Sequence, residues 1–217
     1  MKKLLRNLFS SLPLGPRLFL LVFALGFPVA WMGAQFNLFD LYGWLALAPA
    51  LVWKGQIWRL VSYAFLPAGP LDWIISLFWL ATLVLVLGRI WSGTGFWAYC
   101  LLGALGGGLF AALLRPGMQI GVVGSAAIIF ALLVAWDYFY RNERLILLGI
   151  GEISVRQAAI LIAIINSLIL FFCSWFLMLA MWCGGVAGWL WLIIRAKLFL
   201  GKTPQQIRSE RVARLEL

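Results

Sequence analysis

No histidine occurs among these 217 residues, and only 11 % of them are charged. The first absence removes the one side chain that titrates unaided near neutral pH, the usual general base for a serine and a common ligand of catalytic zinc. The H-E-x-x-H helix of a membrane metalloprotease is therefore excluded. Acids are scarce as well: Asp40, Asp72, Asp137, Glu143, Glu152, Glu210 and Glu216 fall in loops, at the ends of apolar runs or in the tail. None lies deep enough in a run for two carboxyls to share a proton across helices, as an aspartyl protease requires. Lys54 and Lys197 border apolar runs at opposite faces, so a serine–lysine dyad lacks an amine inside a span. Cys100, Cys173 and Cys183 lie in or beside apolar runs without C-x-x-C spacing. They read as packing residues, not as disulfides or zinc ligands, and no cofactor or metal is expected.

What the chain does have is apolar surface: 65 % of its residues are hydrophobic and the mean hydropathy is +1.02. That places it in the membrane class. Six runs approach the roughly 17 to 25 apolar residues that cross a bilayer: Leu18–Phe36, Leu71–Gly88, Gly95–Leu114, Met118–Trp136, Gln157–Phe172 and Ser174–Ile194. The last two run together near Cys173 and read as one buried hairpin. A further apolar stretch, Leu41–Trp53, is too short to cross and carries Gly43, Pro49 and several aromatic residues. Residues 41–59 are expected to form an interfacial first loop. The expected architecture is an all-α membrane protein, a bundle of six transmembrane helices over residues 18–194.

The net charge of +10 supports an orientation more than a nucleic-acid partner, because the bases are spread over loops and tail. Lys2, Lys3, Arg6 and Arg17 precede the first span, Arg89 follows the second, and Arg141, Arg144 and Arg156 lie between the fourth and fifth. Arg195, Lys197, Lys202, Arg208, Arg211 and Arg214 follow the sixth, which leaves only Lys54, Arg59 and Arg115 on the other side. By the positive-inside rule both termini are cytoplasmic: a segment 1–17, read as retained for want of a small-residue cleavage site, and a basic tail 195–217. Thr203-Pro204 can open a short helix in that tail. Membrane lipids are the expected environment, and the compact size fits a bacterial inner membrane.

Small residues mark two helix faces. Gly121 and Gly124, just ahead of Ser125, sit at the start of the fourth span, and Gly184 and Gly188 form a G-x-x-x-G face in the sixth. Read alone, both are helix-packing surfaces. Taken together with their neighbours they say more. Lys54-Gly55-Gln56-Ile57-Trp58-Arg59-Leu60 resembles the Trp-Arg signature in the first loop of the rhomboid superfamily, whose members include intramembrane serine proteases and inactive relatives such as derlins. Phe65-Leu66-Pro67-Ala68-Gly69, followed by Asp72 and Ser76, is similar to the start of the family's second helix. Gly124 to Leu133 looks like its serine helix, and Met181 to Gly188 matches the spacing of its H-x-x-G-x-x-x-G helix. The resemblance covers roughly residues 40 to 195, in the family's order.

What the resemblance implies is a fold whose catalytic positions have changed. The family's base corresponds to Met181, which cannot accept a proton. Its two outer-leaflet histidines correspond to Pro67 and Asp72, and its oxyanion-stabilising asparagine to Ser76; a carboxylate beside an oxyanion repels where donors should stabilise. Ungapped alignment puts Ala126 on the nucleophile and leaves Ser125 one residue early, about 100° away around a helix. A serine without a base is a bare alcohol. The expected function is therefore non-catalytic: a derlin-like protein that binds transmembrane segments of client membrane proteins and influences their stability, quality control or assembly. Trp58, Arg59, Met181 and Trp182 are the candidate client contacts, and an AAA protease or ATPase is the partner that the derlin likeness implies. Thinning of the bilayer beside the short Gln157–Phe172 span would assist such binding. The competing expectation is an unconventional peptidase that uses Ser125.

Overall fold

The computed structural model describes residues 12–196 apart from 92, 120, 142 and 148–150. The start of the chain and the basic tail beyond Ala196 lie outside the described residues. Helix α1 (Leu14–Gln35) carries Pro16 in its first turn, where a missing N–H has no helical partner to lose. The first loop then folds into three short pieces: α2 (Leu41–Leu45), α3 (Pro49–Val52) and α4 (Arg59–Ser62), the last continuing into a 3-10 turn, Tyr63–Phe65. Asp40 starts α2 by accepting the Gly43 N–H at 2.8 Å, and Pro49 opens α3. Four long or central helices follow: α5 (Pro70–Leu87), α6 (Gly93–Leu114), α7 (Ala126–Tyr140) and α8 (Val155–Cys173), with α9 (Trp175–Arg195) closing the bundle. Between α7 and α8 a small antiparallel hairpin pairs β1 (Arg144–Leu147) with β2 (Gly151–Ser154), an element that a purely helical expectation does not contain.

Among the described residues five helices, α1, α5, α6, α8 and α9, are long and apolar enough to cross a membrane. α7 differs. Its 15 residues rise only about 22 Å, less than the hydrocarbon core of roughly 30 Å. The expected span Met118–Trp136 is thus displaced, because the helix begins only at Ala126. Ahead of it the backbone is extended: Leu47 and Val122 exchange hydrogen bonds of 2.9 and 2.8 Å, and the Ala50 N–H reaches the Met118 carbonyl at 3.1 Å. Non-helical backbone inside a membrane protein needs such partners, and here the first loop supplies them. Gly124, at φ +131°, then turns the chain into α7, a conformation that favours glycine.

The last two helices are separated by one residue. Ser174 is fully extended (φ −171°, ψ 114°), so α8 ends and α9 begins around a single break. α8 is longer than its apolar run because a capping box starts it early: the Ser154 hydroxyl accepts the Gln157 N–H at 3.2 Å, and the Gln157 side chain accepts the Ser154 N–H at 3.0 Å. Its 19 residues rise about 28 Å, close to a full hydrocarbon thickness. The expectation that this span thins the bilayer is corrected accordingly.

α9 fits against α6 and α7 through glycine. A Cβ on Gly184 would stand 2.8 Å from both the Ala127 Cβ and the Gly103 carbonyl oxygen, and one on Gly188 would stand 3.1 Å from the Ala131 Cβ. These pairs show that α7 and α9 run parallel, with backbones closer than larger residues permit. Tyr99 of α6 locks the junction by donating to the Ala131 carbonyl at 2.6 Å. α1 docks on the other flank of α6, where Phe19 meets Phe96 and Trp97 edge-on at 5.4 and 5.1 Å and the Trp97 indole donates to the Gly15 carbonyl.

Candidate functional site

Ser125 is the N-cap of α7 and is 1 % exposed. Capping serines normally accept an N–H of the first turn, but the Ser125 hydroxyl makes no such bond and is buried without a hydrogen-bond partner. Its position is set by the backbone on each side: the Gly124 N–H donates to the Tyr63 carbonyl at 3.2 Å, and the Ser125 carbonyl accepts the Ile129 N–H at 3.0 Å. The parallel pairing of Ala127 with Gly184 brings Met181, one turn earlier on α9, to the level of this cap. Met181 is 2 % exposed. The hydroxyl thus sits at an apolar junction, and among the described residues no side chain accepts its proton in a hydrogen bond.

The second-helix positions form a separate, self-contained network. Asp72, in the first turn of α5, accepts the Ala68 N–H on one oxygen at 2.8 Å and the Ser76 hydroxyl on the other at 3.2 Å. The Pro67 carbonyl accepts from the Tyr42 hydroxyl at 3.0 Å. Partial burial, with the Asp72 charge second, raises the pKa of the Tyr42 phenol, so that hydroxyl stays a donor. Pro67, Asp72 and Ser76 therefore pin the entry of α5 to the first loop, and the Ser76 donor is already engaged by a carboxylate.

Two of the expected client contacts are corrected by burial. Arg59 is 5 % exposed and its guanidinium points inward, donating from Nε to the Gln56 side chain at 2.6 Å, from Nη1 to the Ala46 carbonyl at 2.6 Å and from Nη2 to the Gly43 carbonyl at 2.7 Å. It is the strut of the first loop, helped by the Ser62 hydroxyl on the Leu45 carbonyl. Met181 is equally inaccessible. Trp58 and Trp182 are open to the surroundings, at 46 % and 44 % exposure. Gly121 faces Ala46, where an added Cβ would meet the alanine methyl at 2.9 Å, while Gly124 has open space in front of it. No group of three metal-ligating side chains occurs among the described residues.

A feature unmarked in the sequence reading lies on α8. Asn166 and Ser167 stand mid-helix in an apolar run, which was the available signal. Ser167 donates to the Ala163 carbonyl at 2.7 Å and accepts the Trp182 indole N–H at 3.1 Å, joining α8 to α9. Asn166 donates to the Ile162 carbonyl at 2.8 Å and makes no other side-chain hydrogen bond among the described residues. Around it Ile164, Ile165, Leu168 and Ile169 are exposed, and α8 is the least buried of the five long apolar helices.

Residues 17–198 match the family model described as "Eukaryotic integral membrane protein (DUF1751)". No curated protein matches the chain. The family description supports a multi-pass membrane protein and is consistent with a rhomboid-like one. It overturns the bacterial inner membrane expected from size, because the family is eukaryotic.

Proposed function

The chain belongs to that family of eukaryotic integral membrane proteins, and on this premise we propose that it is a non-catalytic, rhomboid-like binder of transmembrane segments. The observation that carries the proposal is Asn166, a side-chain amide on the least buried span, with hydrogen-bonding capacity left over among exposed isoleucines and leucines. In a hydrocarbon surrounding, such an amide gains most by meeting a polar group on another helix, an interaction of about 0.6 to 2 kcal/mol. Lipid tails offer no such partner. A client helix with a polar residue near its middle is therefore favoured over one that is uniformly apolar. The buried Ser125 hydroxyl, lacking a base, supports binding without cleavage.

The test uses the reconstituted full chain and two labelled probe helices, one of polyleucine and one carrying a single central asparagine. Energy transfer should report preferential association of the asparagine helix, and Asn166→Leu should remove the preference. Equal association of both helices would overturn the reading. The peptidase alternative has its own measurement: a transmembrane substrate incubated with the same proteoliposomes should stay intact. Cleavage that disappears with Ser125→Ala would establish the alternative instead.

A further inference from the structure

Between α7, α8 and α9 lies a cavity of about 360 Å³. Its lining changes character along its length: Phe130, Ala163 and Trp182 stand at one end, Asp137, Arg141 and Arg156 at the other. Helix register dictates that order. α9 runs parallel to α7, and α8 returns from Val155, whose N–H donates to the Glu143 carbonyl at 2.9 Å, to Ser167 beside Trp182. From Phe130 to Arg141 the α7 axis rises about 16 Å at 1.5 Å per residue. That is close to half of a hydrocarbon core roughly 30 Å thick, the depth of one leaflet.

The charged end is unbalanced. Arg141 and Arg156 are exposed and neither forms an ion pair or side-chain hydrogen bond among the described residues. Asp137 shares that end, with one carboxylate oxygen buried and unpartnered. Two cations face one anion, at the membrane side to which the arginine distribution assigns the cytoplasm. We propose that this slot holds one membrane phospholipid with a singly charged anionic headgroup, its phosphate at Arg141 and Arg156 and one acyl chain along Phe130, Ala163 and Trp182. Guanidinium groups suit phosphate geometry, and the apolar floor demands a tail that free phosphate lacks. Asp137 disfavours headgroups of higher charge. The site is separate from the client-binding reading, which rests on Asn166, a half-buried residue outside the slot's lining.

The full chain in mild detergent, titrated with phosphatidylglycerol or with phosphatidylcholine of the same acyl chains, tests this by native mass spectrometry. Phosphatidylglycerol should be retained about tenfold better, the effect expected of hydrogen bonds to a charged group. The double variant Arg141→Gln with Arg156→Gln should fall to the phosphatidylcholine level, and Asp137→Asn should retain more lipid. Arg144→Gln, whose guanidinium pairs with Glu152 outside the slot, should leave retention unchanged. Equal retention of both lipids by the native chain would overturn the proposal, as would a loss in Arg144→Gln equal to that of the double variant. Glycerol phosphate displacing the lipid at comparable concentration would also overturn it, by assigning the arginines to a free phosphate.

Discussion

Removing the Arg59 guanidinium would leave the Gly43 and Ala46 carbonyls without the donors that hold α2 against α4. Arg59→Ala should therefore lower the unfolding free energy by about 2 to 4 kcal/mol, read as a fall in the thermal midpoint in detergent. Arg59→Lys should recover little of it, because an ammonium cannot place three donors in a fixed fork. Ser125→Ala should behave in the opposite way. A capping serine usually costs 0.5 to 2 kcal/mol to remove, on the order of one hydrogen bond. Ser125 makes no such bond, so its alanine variant should stay within about 1 kcal/mol of the native chain or exceed it. At this scale the sequence named the residues better than their directions. Trp58-Arg59 was legible as a motif, yet which of the two turns inward depends on carbonyls in another part of the loop. Asn166 stood in plain view, but an asparagine in an apolar run shows its spare hydrogen-bonding capacity only when its neighbours are known.

Helix junctions set the next level. Gly184→Leu should separate α9 from α6 and α7 and destabilise the bundle by at least about 2 kcal/mol, since its side chain would meet the Ala127 methyl and the Gly103 backbone. Gly117→Ala, facing open space, is the matched control and should leave the thermal midpoint unchanged. The long apolar helices could be located from hydropathy because their composition alone distinguishes them. The start of α7 could not: the apolar run begins at Met118, and what prevents it from coiling there is hydrogen bonding to Leu47 and Ala50, far upstream. The reverse error shortened α8, where Ser154 and Arg156 lie ahead of the expected span from Gln157 but belong to the cap and first turn of the helix.

For the molecule as a whole, membrane class and helical architecture were legible because they follow from average composition, whereas source and chemistry do not. Size suggested a bacterium and the family is eukaryotic. The candidate site was legible only in outline: Ser125 and Met181 were singled out from the sequence and lie at the same level of α7 and α9, but the slot at Asp137, Arg141 and Arg156 joins three helices and leaves no local pattern. At this scale the Asn166→Leu variant should keep the native thermal midpoint within about 0.5 kcal/mol equivalent while losing its preference for the asparagine probe, separating binding from folding. The parallel seam of α9 with α7 has a further consequence, for biosynthesis. The element that completes the packing of the shortest central helix is also the one translated after the other described helices, so the face of α7 that meets α9 must wait, with α5, α6 and α8 already beside the helix, until the ribosome has delivered Gly184 and Gly188. Packing of the described helices is therefore completed by α9, and a nascent chain arrested before Ser174 exposes to the insertion machinery the surface that the mature bundle hides.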